Sequence, residues 1–465
     1  MRRARPFPSR REALSLMTLA GCLLTAIPME GQSAAKPRFR FITLDPGHFH
    51  ASLVQKFMNP DVDTLVHVFA PASDDVTQHL LRIEAFNKRP DKPTHWAEDV
   101  YTGKDYLERM LATKPGNIVV IAGNNARKTE YIMRSIDAGL NVLADKPMVR
   151  TPADLVQLQK AFKTAQAKHV LLYDIMTERS EVTTQLQREL SLRLDVFGTL
   201  TKGTADQPAI SKESVHHFSK IVAGAPLKRP EWFFDVRQEG EGIVDVTTHL
   251  VDLVQWEAFP NVTLSTADVH MVHASRSATP VTRAQFKQVT GADDYPAYLQ
   301  RDVKDDALQV YSNGSMDYTL RGVHARVSVK WNFEAPTGTG DTHYSVMRGT
   351  KASLIIRQGA PQGYKPVLYV ERAPSVDSAT FTTALTVAVR ELAKRFPGVT
   401  IRPEGAAWVV VVPAALDVGH EAHFGQVTDR YLGYLRAGSM PAWEVPNMLV
   451  KYATIMKAYE MSGAK

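Results

Sequence analysis

From Phe39 to about Asp174, short apolar runs alternate with segments of helical period, and this alternation restricts the fold more than any other feature. The strand-like runs are 39–44, 64–70 (TLVHVFA), 117–122 (NIVVIA), 140–144 (LNVLA) and 169–173 (HVLLY). Helical stretches lie near 50–58, 75–87, 104–113, 128–139 and 152–166. Strands separated by helices are βαβ units, and the crossover helix makes consecutive strands parallel. The last helix is marked by Thr151 as a cap, Pro152 at the first helical position and Asp154 completing a capping box. Gly139 closes the helix before it.

After Asp174 the texture changes. A helix near 180–193 leads to a strand at 198–203, a polar loop, and a helix around 244–258. Runs with the alternation of an antiparallel sheet covered on one face follow at 261–273, 307–312, 315–321, 323–333, 343–347, 352–357 and 366–371. Helices at about 425–437 and 446–461 finish the chain. The expected fold is α/β: a Rossmann-type doubly wound parallel sheet over 36–175, then an α+β domain over 176–465 with a mostly antiparallel open sheet. The terminal helices are expected to pack back on the first domain. A chain of 465 residues accommodates both.

Residues 1–35 read as an export signal rather than as structure. Ser9-Arg10-Arg11 precedes the apolar run ALSLMTLAGCLLTAI, whose 15 residues fall short of a membrane span. The paired arginines resemble a twin-arginine signal, with Ser33-Ala34-Ala35 offered for cleavage before Lys36. A second reading takes Leu19 to Cys22 as a lipoprotein box with Cys22 lipidated. The protein is therefore expected outside the cytoplasm, periplasmic or extracellular, without a membrane span but open to a lipid anchor. Cys22 is the only cysteine, so the exported domain has no disulfide and no thiolate. Of the formal charge of +6, five arginines and two glutamates in 1–35 supply +3, leaving +3 scattered over the rest. That is too weak for nucleic acid, and none is expected as a partner.

Three stretches carry chemistry. In LDPGHFHASL, where the first strand meets the first helix, a dinucleotide fingerprint would fall on Asp45, Gly47 and His50, so only its middle glycine is present. Ala144-Asp145-Lys146-Pro147 stands at the carboxyl end of a parallel strand, where ligands of open α/β sheets bind. In GEGIVDVTTHLVDLVQW (240–256), helical spacing puts Asp245, His249, Asp252 and Trp256 within about 60° of one another. Asp245 and His249 at i, i+4 can touch, and the carboxylate can orient the imidazole. Trp256 in line with the polar trio suggests a cleft wall, and Trp232 in KRPEWFFDVRQEGEG offers a surface for sugar stacking. His216, His217, His343, His420 and His423 show no tight ligand spacing, and no metal is expected.

Together these motifs resemble the glucose–fructose oxidoreductase / inositol dehydrogenase / rhizopine catabolism (Gfo/Idh/MocA) family, by motif over about 38–260 and by architecture to the C-terminus. The segment from Ala122 to Lys128 resembles the family's T-P-N-x-x-H stretch, with Lys128 where histidine is usual. The loop and the β-rich tail look most like a secreted branch with its own oxidoreductase C-terminal domain. The resemblance implies NAD or NADP as cofactor and a sugar or polyol as substrate. It makes Lys146, Asp245 and His249 the catalytic trio, with His249 taking the hydroxyl proton, Lys146 polarising the same oxygen and Asp245 positioning a neighbouring hydroxyl. Gly47, His48, Phe49, His50, Asn124, Asn125, Asp145 and Lys146 match cofactor-contacting segments, and Trp232 and Asp252 are assigned to the substrate. The second strand ends in Phe69-Ala70-Pro71 without an acid for a ribose hydroxyl, so NAD and NADP both stay open.

Export separates the protein from the cytosolic nucleotide pool, so a tightly held cofactor is expected. Net sugar oxidoreduction is the first reading. A redox-neutral glycosidase or lyase working through a transient keto-sugar is the alternative, and a non-catalytic sugar-binding protein on the same fold is the third. Pairing of chains through the C-terminal sheet is expected by resemblance.

Overall fold

The first strands form where the sequence offers apolar residues on both faces. In the computed structural model, which describes residues 38–222 and 225–463, β1 (Phe41–Leu44), β4 (Ile118–Ile121) and β6 (Leu172–Ile175) are buried at every position. Helices on both sides of a parallel sheet demand this pattern. With β2 (Leu65–Phe69), β3 (Ala97–Tyr101) and β5 (Asn141–Asp145) they make a six-stranded sheet of order β3-β2-β1-β4-β5-β6, paired in parallel throughout. The order reverses between β1 and β4, and a crevice opens there at the strands' carboxyl ends. The strand β3 was not expected: AEDVY carries three charged or polar residues on an edge, where pairing on one side suffices.

The expected helix at 50–58 shrinks to one turn, α1 (His50–Leu53). The others come close to expectation: α2 (Asp74–Lys88), α3 (Tyr106–Thr113), α4 (Lys128–Asp137) and α5 (Pro152–Lys168). Thr151 and Asp154 form the reciprocal capping box at the start of α5.

Beyond α6 (Val182–Ser191), the expected strand at 198–203 is reduced to isolated bridges at Leu200 and Gly203, and the expected polar loop contains β7 (Ile210–Ser219). That strand pairs in parallel with Val323–Glu334 and antiparallel with Thr342–Arg348, in the centre of a second sheet. The remaining pairings of this sheet are antiparallel, from Val269–Thr282 on one side to Thr400–Glu404 on the other. The runs 307–312 and 315–321 are one strand, Ala307–Leu320. Three helices complete the fold after α7 (Thr247–Ala258) and α8 (Arg283–Thr290): α9 (Ser378–Leu392), α10 (His420–Ala437) and α11 (Glu444–Gly463).

The terminal helices reach the first sheet. The Tyr431 hydroxyl of α10 donates to the Leu171 carbonyl at 2.9 Å, and Tyr452 of α11 donates to Asp174 at 3.2 Å. Among the described residues no helix is long and apolar enough to cross a membrane. The export reading of 1–35, with Cys22, lies outside the described residues.

Candidate active site

A cavity of about 500 Å³ opens between the carboxyl ends of the first sheet and one face of the second. His48, Phe49 and His50 line it from the β1–α1 loop, Lys146 from the end of β5, and Asp245 and His249 from the segment entering α7. Glycines allow these segments to meet. A Cβ on Gly123 would run into the Asp45 carbonyl and stand 2.8 Å from the Gly47 nitrogen, so the loops after β1 and β4 pack against each other only without it. A Cβ on Gly242 would strike the Ser312 carbonyl, so the turn ahead of α7 lies directly on the second sheet.

Asp245 is not within α7, which begins at Thr247. It sits in the preceding turn, where its carboxylate contacts the Lys146 ammonium. Burial alone would lower the Lys146 pKa, but Asp245, Asp145 and Glu239 outweigh it and raise the pKa above the ordinary lysine value. Lys146 is thus a fixed cation and hydrogen-bond donor. His249 is the opposite case: burial, helped by the Lys146 charge, holds it well below the usual imidazole value. It is therefore neutral at neutral pH, and its Nδ1 is buried without a hydrogen-bond partner. A buried cation and a neutral imidazole on one wall form a donor–acceptor pair for a hydroxyl.

At the β1–α1 loop, the His50 Nδ1 is 2.9 Å from Asp145 Oδ2, and the His48 Nδ1 is 4.0 Å from the same oxygen. The His50 backbone N–H points at His48 Nδ1 over a long 3.4 Å. Both imidazoles are held well below their ordinary pKa, first by burial. Lys128, in the position where histidine is usual in the resembled motif, is buried and donates to the carbonyls of Asp145 at 3.0 Å and Lys146 at 3.4 Å.

Gly47 lies under a different cover. Its missing Cβ would stand 3.1 Å from Asp75 Oδ2, 3.2 Å from Trp232 Cζ2 and 3.3 Å from the Asn124 nitrogen. Trp232 Nε1 donates to Asp75 at 2.9 Å, Asn124 Nδ2 donates to Gln238 at 2.7 Å, and Asn125 Nδ2 donates to the Glu239 carbonyl at 2.7 Å. The stretch 231–240 therefore lies across the loops after β1, β2 and β4. The Asn125 Oδ1 is buried and unpaired.

Two substrate assignments from the sequence are corrected. Trp232 does not line the cavity but roofs the glycine loop through Asp75. Asp252 is 2% exposed and faces away from the cavity. It accepts from Arg179 Nε at 2.6 Å, Arg179 Nη2 at 2.7 Å and Lys451 Nζ at 3.0 Å. Helical spacing put Asp252 in line with Asp245, but Asp245 belongs to the turn before the helix, so the shared face does not exist. Trp256 likewise stacks with Arg188, at 4.6 Å, and forms no cleft wall.

The far wall was missed. On β7, Ser214 Oγ is 2.7 Å from His216 Nε2, and His216 Nδ1 is 3.3 Å from Asp341 Oδ2. Lys220 donates to the same carboxylate at 2.5 Å. All four line the cavity. The i, i+2 spacing of Ser214 and His216 was a strand signal, hidden because SKESVHHFS reads as polar.

Two family models match the chain. Residues 46–173 match one described as "oxidoreductase family, NAD-binding Rossmann fold", and residues 186–463 match one described as "putative oxidoreductase C terminal domain". Among curated proteins no relative matches. Of the solved structures, the crystal structure of a "putative oxidoreductase" from Parabacteroides merdae is 52% identical, with 94% of this chain and 100% of that one covered and a TM-score of 0.90. A levoglucosan dehydrogenase in complex with NADH and levoglucosan is 13% identical, covering 91% and 97%, with a TM-score of 0.58. A 3-ketoreductase from Actinomadura kijaniata in complex with TDP-benzene and NADP is 14% identical, covering 91% and 97%, with a TM-score of 0.55. At that identity the last two share the fold alone.

Proposed function

We propose that this chain, which belongs to the Gfo/Idh/MocA oxidoreductase family with its NAD-binding fold, oxidises or reduces a sugar or polyol at the Lys146–His249 wall. The observation that carries the reading is the pairing of a fixed cation and a neutral, unpartnered imidazole beside the carboxyl ends of a dinucleotide-binding sheet. A bound nicotinamide dinucleotide, NAD or NADP, supplies the hydride acceptor or donor. The residues present suit such a group. Gly123 lets the two loops close up, and the buried Asn125 Oδ1 is an acceptor waiting for a donor. Gly47, Asn124 and Asn125 border the nucleotide's path, and His48, Phe49, His50 and Asp145 stand at its cavity end. The Trp232–Asp75 pair closes over Gly47, so it must part for a dinucleotide to enter and holds one that is inside.

His249, neutral and lining the cavity, takes the hydroxyl proton. Lys146 donates to the same oxygen and stabilises the charge that develops there, while Asp245 holds the ammonium in place. In the reverse direction the same two groups return the proton and polarise the carbonyl.

One observation favours the redox-neutral alternative. The Ser214–His216–Asp341 relay lies across the cavity and gives it a second acid–base group, which simple dehydrogenation does not need but departure of a glycosidic oxygen does. Protein purified without added nucleotide, then denatured, should release NAD or NADP detectable by mass spectrometry. Turnover of sugars should change the nicotinamide absorbance, whereas aglycone release from aryl glycosides without net change would select the second reading. No released nucleotide, and no turnover with either one added, would sink both and leave a sugar-binding protein. We extend the proposal to pairing of chains through the second sheet, which light scattering of the purified protein would check.

A further inference from the structure

The β1–α1 loop carries two histidines, one of them at a glycine position of the dinucleotide fingerprint, and the proposed hydride transfer gives neither of them a proton or a charge to handle. Both turn toward one carboxylate, that of Asp145, brought from 95 residues away by the pairing of β5 into the same sheet. One nitrogen from each ring and one oxygen of Asp145 all lie within 4.8 Å of one another. Donors that each stand about 2.1 Å from a common ion are separated by at most about 4.2 Å. The measured 2.9 Å for His50 and 4.0 Å for His48, each from Nδ1 to Asp145 Oδ2, fall within that span, and His48 Nδ1 gives up its long 3.4 Å contact with the His50 N–H to take the ion.

We propose that His48, His50 and Asp145 bind a divalent transition-metal ion at the wall of the cavity. Two imidazoles and one carboxylate are the donor set of open catalytic sites for zinc and for other borderline first-row ions. Lys146 is ion-paired with Asp245, and Lys128 donates to two backbone carbonyls, so neither ammonium is hydrogen-bonded to the Asp145 carboxylate. The carboxylate instead meets the two imidazoles, and the proton shared between His50 and Asp145 is the one that an ion replaces. Both imidazoles are sheltered, with side-chain exposures of 16% and 9%, which restricts competition from water. His48 and His50 line the cavity that also receives Lys146 and His249, so the ion's remaining positions are within the space a substrate enters. The tight H-x-H spacing escaped notice as a ligand pair because its third member is far away in sequence. This site does not rest on the dehydrogenase reading, since ion binding needs neither nucleotide nor turnover.

The test uses the purified protein without a histidine tag, stripped with a chelator and then titrated with Co²⁺. One equivalent per chain should bind and give the visible bands of a low-coordinate cobalt site, and the protein as purified should carry a stoichiometric ion by elemental mass spectrometry. His48→Ala and His50→Gln should each weaken Co²⁺ binding at least about tenfold, while His67→Ala, on β2 and outside the cavity lining, should leave it unchanged. Asp145→Asn, close to isosteric, carries the test if a histidine variant does not keep the wild-type circular dichroism. Stripped, folded wild type that takes up no Co²⁺ overturns the proposal, as does binding that survives in the folded variants. Nucleotide content measured on the same samples separates this outcome from failure of the oxidoreductase reading.

Discussion

Asp252 shows how a residue of apparently catalytic spacing can be structural, and its replacement by asparagine makes a quantitative test. The side chain belongs to a buried cluster in which Arg179 also reaches Glu444 at 3.1 Å and Lys451 also reaches Asp174 at 2.5 Å. Removing one partner of a buried pair costs about 3–5 kcal/mol when it strands the other charge. Here Asp252→Asn strands no charge, because each cation keeps another acid, although the amide nitrogen that replaces one oxygen turns a donor toward Arg179 or Lys451. What is lost is the charge assistance of contacts at 2.6, 2.7 and 3.0 Å, worth together about 2–3 kcal/mol. At about 2 °C per kcal/mol for a large chain, the melting temperature should fall by roughly 4–6 °C. Arg179→Met should cost more, about 3–5 kcal/mol, because it leaves Glu444 buried without a cation. Burial raises the Asp252 pKa, but Arg179 and Lys451 overcome it and hold the group well below the ordinary carboxylate range. A depressed carboxyl stabilises the fold above its unfolded value of about 4, and this contribution disappears as pH falls toward the folded value. The loss in Asp252→Asn should therefore be present at neutral pH and shrink on acidification. Calorimetry across pH with steady-state kinetics on the folded fraction is the assay. A variant as stable as wild type but with a raised substrate KM would refute the structural role and restore the residue to the substrate.

Other outcomes follow from the same geometry. Lys146→Met should lower kcat by about 10²–10³-fold, the scale of losing one preorganised donor to a developing oxyanion. His249→Ala should cost about 10²–10⁴-fold in kcat/KM. Because burial depresses His249, the acidic limb of the wild-type pH profile should lie below the usual imidazole value, and a limb near that value would contradict the assignment. Trp232→Phe removes the donor to Asp75, and nucleotide release measured by dilution should quicken about tenfold, from a charge-assisted bond of about 1.5 kcal/mol. Two imidazoles are buried neutral, His79 and His423, with pKa values held down to about 4 by burial. Their folded values lie below the unfolded value of about 6.5, so stability should be fullest above it and fall as pH drops toward 4. Urea midpoints that stay flat over that window would show these groups to be solvated.

Much of the first sheet was legible because its signals are local. Continuous apolar runs such as NIVVIA, a cap such as Thr151-Pro152-x-Asp154 and the closing Gly139 each act within a few residues, and a parallel sheet buried on both faces leaves a plain hydrophobic record. Lys146 was legible too, since the end of β5 must face the crevice whatever packs beyond it. The second sheet was read less fully. β7 is polar along SKESVHHFS because its cavity face supplies Ser214 and His216, so the residues that make it useful obscure it as a strand.

The sequence by itself determined the alternation of strands and helices, the carboxyl-end position of Lys146, and the identity of a loop with one glycine and two histidines. Only the tertiary structure decided what those side chains meet. It separated Asp245 from Asp252, since the chain turns before α7 begins and sends one carboxylate to Lys146 and the other to Arg179 and Lys451. It laid Trp232 over Gly47 rather than along the cavity, and it brought His48 and His50 to Asp145. Local propensity acts over a few residues, whereas the partner of a buried charge is chosen by which distant element must pack there, and a one-dimensional pattern does not record that choice.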